Sequence, residues 1–110
     1  MTKIYVDDIR KPDYGCIQFH TVNDAMGYIR RMYKMGNTDF YLDLDHDAGD
    51  YGTPEQGGDY INILKNLEAM RHQGHIKHMN VDVHFHTMNV VGRENMRAII
   101  KANRGWMKEV

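Results

Sequence analysis

The sequence predicts a two-layer α/β domain, a mostly parallel four-stranded sheet carrying three helices mainly on one face. Three observations lead to it. Short strand-like runs alternate with segments of helical period, the pattern of parallel strands joined by right-handed crossovers. Within the strand runs, Ile4, Val6, Ile17, Phe19, Leu42, Leu44, Val81, Val83 and Phe85 fall on one side, while Tyr5, Gln18, His20, Tyr41, Asp43, Asp82, His84 and His86 fall on the other. A parallel sheet buried on both faces reads as near-continuous apolar runs instead, so one face is expected to stay polar and open. Finally, two of the runs end in acids, Asp7-Asp8 and Asp43-Leu44-Asp45-His46-Asp47.

Period and punctuation place the elements in order. Residues 3–6 read as a strand, 7–15 as a loop holding Pro12 and Gly15, and 16–20 as a second strand. Thr21 and Asp24 have capping-box spacing. Val22, Ala25, Met26, Ile29 and Met32 follow at helical intervals until Gly36, a common type of helix terminator. Residues 39–45 read as the third strand and 46–57 as a loop rich in glycine. A helix over about 58–72 carries Ile61, Leu64, Leu67 and Met70 and is closed by Gly74. Residues 81–87 read as the fourth strand, and a last helix over about 90–103 turns Ile99 and Ile100 inward. No repeat or linker interrupts the chain, so residues 1–110 are expected to form one domain.

Composition narrows the function classes. A formal charge of −1 gives no basic face for non-specific DNA binding. No apolar run approaches membrane length, and nothing resembles a signal peptide. A single cysteine, Cys16, rules out an internal disulfide and fits a reducing cytoplasm. The nine methionines suit adaptable core filling.

The acid clusters carry the chemistry. Ligands of open α/β sheets bind at the carboxyl ends of the strands. Carboxylates crowded there raise one another's pKa values unless a cation neutralises them. Asp7, Asp8, Asp45 and Asp47 are thus candidate ligands for a divalent metal, Mg²⁺ or Mn²⁺. Loop aspartates that cap and turn the chain are the alternative. An EF-hand is excluded, because Asp43, Asp45 and Asp47 fit its first positions but Pro54 stands where a bidentate Glu is needed. His46 and His86 are candidate acid–base groups near neutral pH. His84 and His86 face the same side as Asp43 and Asp45, so cross-strand Asp–His pairs with raised histidine pKa values are expected. A hydrogen-bonded sheet surface without catalysis would look the same. Asn89, Gly92 and Arg93 open the last helix, where free N–H groups and a guanidinium can hold an anion. A plain N-cap explains Asn89 equally well. The long loop after His46 reads as a lid or an ordinary surface loop, and His72, His75 and His78 as a solvated helix end.

The element order resembles a response-regulator receiver domain, with Asp7 and Asp8, Asp45 and Thr87 at the positions of the acid pair, the phosphoacceptor and the Ser/Thr. Three segments are similar to a narrower family, the cyclic-phosphate-processing receiver-like domains: Val6-Asp7-Asp8-Ile9-Arg10-Lys11-Pro12, Leu44-Asp45-His46-Asp47, and Asn89-Val90-Val91-Gly92-Arg93-Glu94-Asn95-Met96. The resemblance implies a receiver-like (flavodoxin-like) sheet of order 2-1-3-4. It also implies a metal-dependent phosphoesterase acting on a small phosphate ester or an RNA end with a cyclic phosphate. Asp45, His46 and His86 would be catalytic, and Thr87, Asn89, Gly92 and Arg93 would bind substrate. The alternative is a non-catalytic receiver-like module acting through a protein partner. Compared with a receiver, the helix between the first two strands is expected to be missing, as are the fifth strand and fifth helix. With them goes the receiver's phosphoryl-binding lysine, so phosphorelay through Asp45 is not expected. The polar face, with Tyr5 and Tyr41, then needs a cover, and a homodimer is expected to supply it. A tail bringing Trp106 and Met107 back over that face is the competing cover.

Overall fold

The computed structural model describes residues 1–12 and 15–110. In chain order these form β1 (Thr2–Val6), β2 (Ile17–Phe19), α1 (Val22–Lys34), β3 (Asp39–Leu44), α2 (Ile61–His72), β4 (Asn80–Phe85), α3 (Val90–Ala102) and β5 (Met107–Glu109). The sheet has the order β2-β1-β3-β4-β5, and every pairing is parallel. The expected loop over 7–15 includes residues 13 and 14, which lie outside the described residues. Among the described residues no helix stands between β1 and β2, and no helix is long and apolar enough to cross a membrane.

Local chemistry explains the helix ends. The Thr21 hydroxyl accepts from the Asp24 N–H at 3.0 Å and caps α1. Gly36, at φ 100°, turns the chain out of it in a conformation that side chains with a Cβ avoid. Ile4, Val6, Leu42, Leu44, Val81 and Val83 are all 1% exposed or less. They join one core with Val22, Met26 and Ile29 of α1, Leu64 and Leu67 of α2, and Met96 and Ile100 of α3. These strand residues share one parity, so the three helices cover a single face. Ile17 shares that parity yet is 45% exposed, because β2 is an edge strand of three residues with little above it.

Two expectations are corrected at the C-terminal end. A fifth strand exists, and the sheet has five strands instead of four. β5 pairs with β4 through Val81↔Met107, Asp82↔Lys108 and Val83↔Glu109. Its Met107 is 1% exposed and completes the core. The Arg97 guanidinium, on α3, grips Glu109 through two bonds, at 2.6 and 2.8 Å. The tail therefore extends the sheet in plane and does not fold over the polar face. Trp106, just before it, stacks under the Arg71 guanidinium at 4.7 Å. Lys108 lies opposite Asp82, four residues before His86, so the register keeps it away from the acid-bearing strand ends.

The polar face is also better covered than its composition suggests. Tyr5 is 7% exposed, so this ring needs no second subunit to shield it. The long loop after β3 is built from two 3-10 turns, Gly49–Tyr51 and Pro54–Gln56. It docks on the start of α1: Asn23 donates to the Glu55 carbonyl at 2.8 Å, and Ala48 is buried. At Gly57 a Cβ would come within 2.7 Å of the Val22 Cβ, so this contact requires glycine.

Candidate functional site

β1 and β3 are neighbours in register, with Tyr5 opposite Asp43 and Val6 opposite Leu44. The residues that follow, Asp7 and Asp45, therefore leave the sheet side by side. β4 flanks β3 and delivers His86, whose N–H donates to the Leu44 carbonyl at 3.1 Å. Three strand ends thus bring Asp7, Asp45 and His86 together, with one ligand atom of each within 4.8 Å of the others.

His86 is clamped between two carboxylates. Its Nδ1 donates to Asp43 Oδ1 at 2.5 Å and its Nε2 to Asp7 Oδ2 at 2.7 Å. Ionised carboxylates only accept, so an imidazole between two of them carries both protons. Burial opposes that charge, but the hydrogen bonds to Asp43 and Asp7 outweigh it and the histidine pKa is raised. The Tyr5 ring lies flat on the imidazole, 4.6 Å between centroids and 4° from parallel. Burial, with Asp7 and Asp43 nearby, pushes the Tyr5 hydroxyl up to about 12.

Asp7 is fully buried. Burial works against its charge, yet its pKa is lowered by N–H groups of Ile9 and Arg10, at 2.8 and 3.0 Å on Oδ1, and by His86. This tight turn folds Arg10 back over the site. Its guanidinium donates to the His86 carbonyl at 2.7 Å and stands 3.9 Å from Asp7. Asp8 behaves in the opposite way. Burial raises its pKa, and Asp7 and Asp45 raise it further.

The same electrostatics test whether the residues fit a divalent cation. Four carboxylates, Asp7, Asp8, Asp43 and Asp45, share the rim with two positive groups, Arg10 and His86. Asp7 and Asp43 pair with those groups, and among the described residues no ion pair engages Asp8 or Asp45. Gly49 leaves room for Asp8, since a Cβ there would sit 2.6 Å from the Asp8 Oδ2. A mostly oxygen donor set beside one imidazole suits Mg²⁺ or Mn²⁺. The residues therefore fit such an ion, with Asp8 and Asp45 as the candidate ligands outside the His86 and Arg10 ion pairs.

A second group lies on the other side of Asp45, whose carboxylate accepts from the His46 N–H at 2.7 Å. The His46 ring pairs with Asp47 at 2.9 Å, and this bond, ahead of an opposing burial effect, lowers the Asp47 pKa. Asn89 also donates to Asp47, at 3.3 Å. Asp47 thus turns towards His46 and the start of α3, away from Asp7 and Asp8. Gly92, one turn into α3, makes space for His46: a Cβ there would stand 2.4 Å from the imidazole Cδ2 and Cγ.

The remaining residues expected at the site are placed as follows. Thr87 is buried, and its hydroxyl accepts from the Asn89 N–H at 3.1 Å. Asn89 caps α3 by accepting from the Gly92 N–H at 2.8 Å. No ion pair joins Arg93 to Asp7, Asp8 or Asp45 among the described residues. Its charge acts on Glu109 instead, and its buried Nε lacks a hydrogen-bond partner among them. Of the expected cross-strand Asp–His pairs, one forms, between Asp43 and His86. His84 meets the Val110 carbonyl at 3.1 Å.

Arg10 and Tyr5 also belong to the site; the sequence marks Tyr5 only as a ring on the polar face and gives Arg10 no role. The signal for Arg10 was available: it stands three residues after an aspartate at a strand end, where an aspartate-centred turn brings such a residue back.

The sequence matches the family described as the cyclic-phosphate processing receiver domain over residues 2–102. No curated protein and no solved structure matches it significantly. The match spans nearly the whole chain, and the chain belongs to that family.

Proposed function

We propose that this cyclic-phosphate processing receiver domain is an enzyme that opens a cyclic phosphodiester at its acid-lined rim. The observation that carries the reading is His86, fixed by hydrogen bonds between Asp7 and Asp43 beside Asp45. In the reaction a water oxygen bonds to phosphorus, one ring P–O bond breaks, and the released alkoxide takes a proton. The hydrogen bonds to Asp43 and Asp7 raise the His86 pKa against the effect of burial, which favours it as the proton donor to that oxygen. His46, across Asp45, is the candidate base that takes the proton from water. Arg10 and the start of α3, with Thr87, Asn89, Gly92 and Arg93 around it, are the candidate anchors for the phosphate.

Asp8 and Asp45, with Asp7, would hold Mg²⁺ or Mn²⁺, which when bound neutralises the rim and offsets charge on the phosphate. The substrate class is a small phosphate ester or an RNA end bearing a 2′,3′-cyclic phosphate, met in the cytoplasm. One observation favours a second reading, a binding module without turnover. Both nitrogens of His86 and both oxygens of Asp7 are already satisfied within the chain. Turnover of a panel of 2′,3′- and 3′,5′-cyclic nucleotides with Mg²⁺ or Mn²⁺, beside Asp45→Asn, separates the two. The enzyme reading expects at least one ester to open and the variant to lose that activity. Saturable binding of these esters with no product would leave the module.

A further inference from the structure

We infer that the domain carries a second ligand site, for a small amphipathic anion, at the end of the molecule opposite the acidic rim. Helices that follow parallel strands run back along the sheet, so the C-terminal ends of α1 and α2 lie away from Asp45 and His86. Between those two ends is a cavity of about 460 Å³ lined by Arg30, Tyr33, Lys34, Met70, His75 and Ile76. That volume is within the range of pockets that hold small molecules. Tyr33, Met70 and Ile76 supply an apolar floor, and Arg30, Lys34 and His75 surround it without a carboxylate.

The surrounding sequence has the same bias. Residues 25–38 contain Arg30, Arg31 and Lys34 and no acid, and residues 69–81 contain Arg71, Lys77 and three histidines and no acid. Cations at helix ends offset the helix dipoles, which accounts for some of this charge but not for the cavity beneath it.

The backbone provides an independent observation. Ile76 has φ 45° and is 5% exposed. A β-branched residue is an outlier in that left-handed region, which glycine enters freely. Arg71 holds the strained turn by donating to the carbonyls of Ile76 and Met79, at 3.0 and 3.1 Å. The Tyr33 hydroxyl holds the far side by accepting from the His78 N–H at 3.1 Å. Ile76 is thus a costly choice for the backbone; its side chain packs into the hydrophobic core and also lines the cavity. The floor offers few partners for a polar nucleobase edge. The ligand class that fits is an aryl or short alkyl body bearing one carboxylate, sulfonate or phosphate.

The probes are octanoate and 8-anilinonaphthalene-1-sulfonate, followed by amide NMR shifts and by fluorescence. Saturable shifts confined to Tyr33, Met70, Ile76 and their neighbours are expected. Octylammonium and octanamide should bind at least tenfold more weakly. The exposed Arg30→Glu and Lys34→Glu should each weaken octanoate binding about tenfold. Met70→Trp, with its fold checked by circular dichroism, should fill the cavity and remove binding without shifting the Asp45 and His86 signals. Equal binding of octylammonium, indifference to the charge reversals, or shifts that spread without saturating would overturn the site. Because none of these readouts depends on catalysis at the rim, they stand or fall separately from turnover of cyclic phosphates.

Discussion

His86 ties the chemistry of the rim to its stability. Its folded-state pKa lies above the ordinary value, so its contribution is complete below about pH 6.5 and fades as pH rises through the raised folded value. Asp7 has the opposite sign. Its lowered pKa gives a contribution that is complete above about pH 4 and is lost as pH falls through the depressed value. Urea midpoints in EDTA should therefore be highest in the mildly acidic window between the two. The decline towards alkaline pH should be shallower in His86→Asn. A wild-type midpoint that keeps rising from pH 6 to 9 would contradict the clamped imidazolium.

Gly92 offers a second test at the same scale. A Cβ there meets the His46 ring at 2.4 Å, so Gly92→Ala should cost about 1–3 kcal/mol through overpacking. Removing the ring relieves the clash, and the same change in a His46→Ala background should cost much less. Asp7 and Asp45 were legible in the sequence because each follows directly on an apolar strand run. The need for glycine at 92 was not, because the group that requires it is the ring of a residue on another strand end.

At the scale of elements, β5 is the part that periodicity could not supply. Three residues, one of them buried, make less than two turns of an alternating pattern. What defines the strand is tertiary: the vacant edge of β4, the gap that Met107 fills in the core, and the grip of Arg97 on Glu109. Met107→Ala should accordingly lower stability by about 2–5 kcal/mol in urea or thermal unfolding, as for other buried methionines. Exposed Lys108→Ala should stay within about 0.5 kcal/mol of wild type. Equal effects would mean that β5 is not packed as described. The longer elements carried their own signals. The Thr21 cap, Gly36 and the spacing of Val22, Met26 and Ile29 mark α1 without any tertiary information.

At the scale of the whole molecule, a formal charge of −1 conceals a strong separation. Aspartates gather at the carboxyl ends of β1 and β3, while arginines, lysines and histidines gather where α1 and α2 end. At the acidic end Asp8 and Asp45 have no ion-pair partner among the described residues, and this is the physical reason to expect a divalent ion there. Titration with Mn²⁺ should show saturable binding that raises the wild-type melting temperature. Asp8→Asn and Asp45→Asn should each lose most of that increase. An identical response in all three proteins would remove Asp8 and Asp45 from the ion's coordination.

The fold class, the helix-free polar face and the acidic rim follow from alternation and strand ends. The proposed reaction rests on how His86 is held between Asp7 and Asp43, a contact that only the assembled sheet reveals. It is tested most directly by following a 2′,3′-cyclic mononucleotide by ³¹P NMR with Mn²⁺ and either wild type or His86→Asn. Ring opening to a phosphate monoester by the wild type, slowed about 100-fold or more in the variant, is expected of a general acid. A cyclic ester that both proteins open at the same rate, or that neither opens across the panel, would contradict the enzyme.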